Sequence, residues 1–289
     1  MKTFTAFSLG LFLLFAGLGT GAAQDKSGMT APPKVLVVQV EMVKPGKSGA
    51  PHLKTESAFV KAFQDAKWST PYLAMDSLSG PSRSLFLSGY DSFVAWEKDN
   101  LAVQKNAALS AAIDRAAIAD GELLSGYESS TLVYREDLSL RANGDISQMR
   151  YMEISRFKIR SGHEKEWETL VKMYIDGYQK IPNGHWATYE SMYGMDNGGV
   201  YLVFTPMKSM AEIDSGFADS KTFSTAMGDD GMKKLADLAA SCIEQSRTNL
   251  FQFNPKMSFP SERWIKVDPS FWKPRMAAPE KKTEAKPAQ

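Results

Sequence analysis

The stretch YMEISRFKIRSGHEKEWETLVKMYIDGY, residues 151–178, decides the fold. It opens as an extended run, turns at Ser161-Gly162, and continues as a helix. Trp167, Leu170, Val171, Tyr174, Ile175 and Tyr178 fall at i, i+3, i+4, i+7, i+8 and i+11, one face of that helix. An echo lies upstream. Val35 to Val43 is a similar extended run, Pro45-Gly46 is a turn, and Leu53, Phe59, Val60, Phe63 and Ala66 recur at near-helical spacing up to Trp68-Ser69-Thr70-Pro71. The chain reads as one supersecondary plan used twice.

Each copy can be followed to its end. In the first, Tyr72 to Leu78 and Ser84 to Ser88 read as strands joined through Gly80-Pro81. Asp91-Ser92 can cap a short helix from Phe93, Leu101 to Leu124 reads as a longer helix, and Thr131 to Tyr134 closes the copy. In the second, His185 to Met192 and Val200 to Phe204 are the inner strands. Ser209 and Glu212 fit a capping box, Met232, Leu235, Ala239, Cys242 and Ile243 form an apolar helical stripe, and Asn249 to Phe253 closes it. Three echoes run in the same order at offsets of 114 to 119 residues: Leu78-Ser79-Gly80 with Met192-Tyr193-Gly194, Leu85-Phe86-Leu87 with Tyr201-Leu202-Val203, and Tyr134 with Phe253.

The fold class is therefore α+β, with two ferredoxin-like repeats of order β-α-β-β-α-β. The expected boundaries are 1–23 signal peptide, 24–34 leader, 35–140 first repeat, 141–150 linker, 151–259 second repeat, 260–276 aromatic segment packed on the domain, and 277–289 a disordered Ala, Pro, Lys and Glu tail. Two such units, whose first strands end in Lys44-Pro45-Gly46 and Arg160-Ser161-Gly162, resemble a tandem dimeric α+β barrel protein. The similar families are the antibiotic-biosynthesis-monooxygenase-like and NIPSNAP-like proteins. The resemblance implies two sheets closing one barrel within the chain, with a pocket between sheet and helices in each half. That superfamily includes oxygenases, isomerases, haem enzymes and proteins without known chemistry, so the fold does not choose a function. Its haem-binding members take an axial His from the second helix of the repeat. Neither Leu101–Leu124 nor residues 209–245 contain one.

Composition narrows the partners. The 289 residues, 43% of them hydrophobic, suffice for one or two substantial cores. Lys and Arg number 34 against 33 Asp and Glu, and loss of Lys2 leaves 33 against 33. No basic excess or stripe invites nucleic acid or an anionic membrane. Lys2, the apolar run Phe4 to Leu18 and the small residues Gly21, Ala22 and Ala23 have the anatomy of an export signal. Cleavage is expected before Gln24, giving a periplasmic or extracellular protein with no membrane segment after cleavage. Cys242 is the only cysteine, so no internal disulfide forms.

Candidate chemistry is sparse. His52, His163 and His185 lie far apart, without the close ligand spacing of a metal motif, so no metal and no cofactor is expected. His52 and His163 read as exposed residues at helix starts. On the first strands Gln39 and Glu41, like Glu153 and Ser155, share one face, with Arg156 on the other. Strand carboxylates are either satisfied by inter-strand pairs or, with a raised pKa, serve as bases. The candidate base is His185 or Glu153. The candidate ligand-binding set is Trp167, Tyr174, Trp186 and Tyr189, aromatic residues that line a pocket or fill a core. Cys242 shares the stripe of Met232, Leu235 and Ala239 and reads as a buried small hydrophobe.

Three functional readings follow. The first is an exported α+β barrel protein binding a small, largely apolar molecule. The second is a cofactor-independent oxygenase or isomerase acting in the second repeat. The third is an interaction module that docks through Trp264 to Trp272. Oligomeric state is left open, and the richer aromatic set places the expected pocket in the second repeat.

Overall fold

The computed structural model describes residues 31–195 and 198–273. The signal peptide and most of the leader expected before residue 31, and the tail expected after 276, lie outside the described residues.

The extended runs become strands because they are short, rich in Val, Leu and aromatic residues, and, as in β1, β3 and β7, apolar on both faces over most of their length. The first half holds β1 (Val35–Val43), α1 (Ala50–Asp65), β2 (Tyr72–Ser77), β3 (Arg83–Tyr90), α2 (Phe93–Lys105), α3 (Ala107–Gly121) and β4 (Leu124–Tyr134). The second holds β5 (Tyr151–Ile159), α4 (Glu164–Tyr178), β6 (Ala187–Tyr193), β7 (Val200–Met207), α5 (Ala211–Cys242) and β8 (Ile243–Phe253). Two short helices, α6 (Glu262–Val267) and α7 (Pro269–Trp272), follow.

The eight strands of the described residues close one barrel in the order β1-β3-β2-β8-β5-β7-β6-β4. The halves meet at two antiparallel seams. At one, Met75 faces Phe253 and Ser77 faces Phe251; at the other, Leu132 faces Ser191 and Tyr134 faces Tyr189. Closure leaves no free sheet edge, the usual route to aggregation of β-structure.

One face of each strand points into the barrel. Leu36, Val38, Leu73, Met75, Leu85, Leu87 and Leu132 from the first half meet Met152, Ile154, Leu202, Phe204, Phe251 and Phe253 from the second in one buried cluster. Trp272 belongs to the same cluster, and its Nε1 donates to the Ser147 carbonyl at 2.8 Å. The aromatic segment proposed from sequence as a docking patch thus turns its last tryptophan inward.

The other strand face is covered by helices, differently in the two halves. In the second half Trp167, Leu170 and Val171 of α4 and Phe223, Leu235 and Cys242 of α5 pack on Ile159 and Tyr201. Gly177 is what lets Phe223 approach: a Cβ there would meet the ring at 2.3 Å. In the first half α2 buries none of its residues, and the cluster under the helices is confined to Ala74, Phe86 and Met257 with Leu53 and Tyr72 beside them.

Several local expectations need correction. The helix read over Leu101–Leu124 is two helices, because Asn106 leaves helical geometry and its side chain caps α3 through Leu109 N–H at 3.1 Å. Leu124 begins β4, so that strand is longer than Thr131 to Tyr134. The capping box does not form on Ser209: Glu212 Oε1 instead accepts from Lys208 N–H at 2.8 Å. The helix α5 breaks at Gly228, whose φ of 64° suits a residue without Cβ.

Candidate functional site

The α1 helix begins earlier than its apolar spacing suggested. Pro51 sits in its first turn, where the missing N–H costs no hydrogen bond, and this brings His52 into the helix. His52 and Glu56 are then i and i+4, one above the other on the face that meets β1 and α3. Neither is exposed: His52 is 2% and Glu56 3% accessible. The expectation of an exposed His52 is overturned, because the helix packs that face against the sheet.

Glu41 reaches the same place from β1, and Asp120 from the last turn of α3. His52 Nε2 lies 3.0 Å from Glu41 Oε2 and 3.5 Å from Asp120 Oδ1. Thr55 Oγ1 donates to Asp120 Oδ1 at 2.6 Å. Behind them Asp76 accepts from Ser84 Oγ at 2.5 Å and from Asn254 Nδ2 at 2.7 Å. Glu41 therefore has its partner on a helix and not in a neighbouring strand.

Burial sets the charge states. It is the largest influence on Glu56, followed by the negative charges of Glu41, Asp120 and Asp76, and together they push its pKa up to about 10. Glu56 is thus neutral at pH 7 in this arrangement. Glu41 is also raised, first by burial and against the hydrogen bond from His52. For His52 burial opposes the charged form, but the Glu41 hydrogen bond and the charges of Asp120, Glu41 and Asp76 outweigh it, so its pKa rises.

These groups stand at the end of a cavity of about 280 Å³ between the sheet and the first-half helices. Glu41, Gln39 and Val37 of β1, Phe86 and Ser88 of β3, and Tyr72 of β2 form its sheet wall. Glu56, Phe59 and Phe63 of α1, Trp96, Asp99 and Val103 of α2, and Trp68 are among the residues opposite, with Thr70, Tyr90, Asn100 and Ile113 completing the lining. Two buried polar atoms here meet no hydrogen-bond partner among the described residues, Glu56 Oε1 and Tyr72 Oη. Burial, then Glu56 and Glu41, raise the Tyr72 pKa, so its hydroxyl keeps its proton.

The residues singled out from sequence lie elsewhere. His185 precedes β6, with Nδ1 2.8 Å from the Asn183 carbonyl and Nε2 2.7 Å from the Pro206 carbonyl, so both ring nitrogens are engaged. With Trp186 and Tyr189 it lines a second cavity, of about 430 Å³, at a barrel mouth formed also by Pro32, Pro33, Ile146 and Trp264. Trp186 Nε1 donates to the Leu138 carbonyl at 3.0 Å, and Tyr189 Oη to the Pro33 carbonyl at 3.0 Å. Glu153 is half-buried, with a pKa raised by burial, and lines neither cavity. Trp167 is buried between Phe157 and Tyr201, at ring distances of 4.9 and 5.3 Å, and Tyr174 stacks on Phe223 at 5.3 Å. The structure brings together His185, Trp186 and Tyr189, and separates them from Glu153, Trp167 and Tyr174.

Asp120, Glu56 and His52 are the residues that sequence reasoning missed. The signal for two of them was the i, i+4 spacing of His52 and Glu56 in line with Phe59 and Phe63. Asp120 had none, since only the packing of α1 on α3 brings it near.

No protein-family model matches the chain, and no curated protein matches it in sequence. Solved structures share its fold. An anthrone oxidase-like protein aligns over 76% of this chain and 91% of its own, with 12% identity and a TM-score of 0.51. A candidate monooxygenase from Fusobacterium nucleatum aligns over 78% and 94%, with 15% identity and a TM-score of 0.50. A mutant chlorite dismutase from Candidatus Nitrospira defluvii aligns over 84% and 99%, with 9% identity and a TM-score of 0.46. At such identities the first two show a likeness of fold alone.

Proposed function

We propose that this protein binds a small aromatic molecule bearing a carbonyl or hydroxyl oxygen in the first-half cavity, and exchanges a proton with it. The observation that carries the reading is the pair of buried polar atoms without partners, Glu56 Oε1 and Tyr72 Oη, at the polar end of an aromatic-walled cavity. Leaving such atoms unpaired costs about 1–3 kcal/mol each, a cost that a ligand oxygen between them offsets. The walls of Phe59, Phe63, Trp68, Phe86 and Trp96 suit a flat apolar body. Neutral Glu56 can donate a proton, and the Glu41–His52 pair can accept one.

The reading extends to the chain's history and address. The matching element order of the two halves supports an internal duplication in which the first half keeps the working pocket and the second completes the barrel. The leader around Lys2 and Phe4–Leu18 supports export.

The test uses 2-tetralone, an aromatic ketone with acidic hydrogens beside its carbonyl. Wild-type protein should bind it, quenching tryptophan fluorescence, and should speed exchange of those hydrogens in D2O. Tyr72→Phe and Glu56→Gln should each weaken binding about tenfold, the worth of one hydrogen bond. His185→Ala and Glu153→Gln should leave it unchanged. Binding lost in the latter pair and kept in the former would reject the reading.

A second reading rests on the larger cavity. Its mostly apolar wall, including His185, Trp186 and Tyr189, suits a bulkier apolar molecule at the barrel mouth. That ligand's retention would respond to Trp186→Ala and not to Tyr72→Phe.

A further inference from the structure

We propose that Glu41, His52, Glu56 and Asp120 form a binding site for one divalent transition-metal ion, of the manganese, iron or zinc type, at the floor of the first-half cavity. The inference rests on reading that cavity as the working pocket and adds an ion to it. Each of the four residues offers one ligand atom, and all four atoms lie within 4.8 Å of one another. The separations of 3.0 and 3.5 Å from His52 Nε2 to Glu41 and Asp120 are close to the ~3.0–3.4 Å edges expected around an ion with bonds of ~2.1 Å. Small side-chain rotations of Glu56 and Asp120 would complete the shell.

A cluster of acids alone would not point to an ion. The independent observation is the Glu56 carboxyl, on a residue only 3% accessible: it brings one oxygen to within 4.8 Å of the other three ligand atoms, and its Oε1 meets no hydrogen-bond partner among the described residues. A carboxylate oxygen so placed needs a proton or a cation. The charges acting on it from Glu41, Asp120 and Asp76 are all negative, which a divalent cation would reverse.

The supporting groups fit the same role. Thr55 holds Asp120 at 2.6 Å, the kind of outer hydrogen bond that orients a ligating carboxylate. Each oxygen of Asp76 accepts one hydrogen bond, from Ser84 and Asn254, and Asp76 stands outside the group of ligand atoms, so it adds negative charge nearby. One imidazole and three carboxylates, with no thiolate, select borderline and hard divalent ions over soft copper(I). Glu41 and Glu56 both border the cavity, so an ion they hold keeps an open side toward any molecule bound there.

The test uses untagged, chelator-treated full chain titrated with Zn²⁺ and with Mn²⁺, followed by calorimetry, thermal unfolding and, for Mn²⁺, electron paramagnetic resonance. Expected are one ion per chain, a rise in melting temperature of about 5 °C or more at a hundredfold excess over Kd, and a nitrogen coupling on Mn²⁺ that disappears in His52→Gln. Glu56→Gln and Asp120→Asn should weaken binding at least about tenfold, while His163→Ala, at the start of α4 in the other half, leaves binding unchanged. Glu56→Gln keeps the informative variant folded, since it replaces a neutral carboxyl with a neutral amide. Failure to bind either ion at one per chain, or undiminished binding in both Glu56→Gln and His52→Gln, overturns the proposal. Binding of 2-tetralone to the chelator-treated protein reports on the pocket separately, so a pocket without an ion and an ion without a pocket give different results.

Discussion

Glu41 and Phe157 hold the same place, the seventh residue of nine-residue strands β1 and β5, and face Ser84 and Tyr201 respectively in the adjoining strand. Both strands carry a register irregularity at the eighth and ninth residues, Met42/Val43 and Lys158/Ile159. The geometry is therefore shared while the chemistry diverges. In the first half Glu41 meets buried His52 and Glu56 beside a cavity; in the second Phe157 packs on Trp167, which packs in turn on Tyr201.

The aromatic filling predicts how the second half responds to truncation. Trp167→Ala should cost about 3–5 kcal/mol, as expected for emptying a buried site of that size. Trp167→Phe should cost much less, because the indole Nε1 is buried without a partner and its loss removes an unmet polar group. Urea unfolding of the two variants checks this. Equal costs would mean that the ring does not fill the space.

The barrel core predicts that the halves do not stand alone. Leu36, Val38 and Leu85 are covered by Met152, Ile154 and Phe251 from the other half, and the seams β2–β8 and β4–β6 would become open edges. Fragments 34–142 and 148–275, expressed separately, should self-associate or unfold, and should recover a single cooperative transition when mixed. Two monomeric fragments with independent transitions would contradict the shared core.

Much of the fold could be read because its signals are local. The 3.6-residue spacing from Trp167 to Tyr178 predicted α4 nearly to its ends, and the apolar run from Val35 predicted β1. The site was less legible. Starting α1 at Leu53, where the apolar spacing begins, left His52 outside the helix and hid its pairing with Glu56. Asp120 joins them through a tertiary contact between α1 and α3, which no spacing within either helix reveals. Aromatic richness drew attention to the second half, yet buried aromatics close a pocket as readily as they line one.

The segment after β8 should act as a stopper for the barrel. Trp272 is 2% accessible, lies 5.0 Å from Trp264 ring to ring, and donates to Ser147. Trp272→Ala should lower stability by about 3–5 kcal/mol, and Ser147→Ala, which keeps the carbonyl acceptor and loses only the hydroxyl's bond to Asp145, should be milder. A melting curve unchanged by Trp272→Ala would show that the segment is dispensable.

The proposed export can be tested directly. Mass spectrometry of protein recovered outside the cytoplasm should find an N-terminus near Gln24. An exported chain that still begins at Met1 would show that the apolar run Phe4–Leu18 is kept as an anchor.

Glu56 predicts an inverted pH dependence for the metal-free protein. Its pKa is raised from 4.5 to about 10 in the fold, so the native state holds a proton that the unfolded chain releases. Its contribution is harmless below pH 4.5 and grows more unfavourable as pH rises through 4.5 toward 10, levelling off above the folded value. At pH 7 the penalty from this one group is on the order of 3 kcal/mol, at 1.36 kcal/mol per pH unit. Glu56→Gln removes the group that must take up the proton while keeping its shape. In chelator-treated protein the variant should match wild type near pH 4.5, exceed it in stability by one to a few kcal/mol near pH 7, and show a flatter profile between. Denaturant titrations at pH 5, 6, 7 and 8 would measure it. A variant less stable than wild type throughout, with the same slope, would mean that Glu56 is ionised and partnered in the fold.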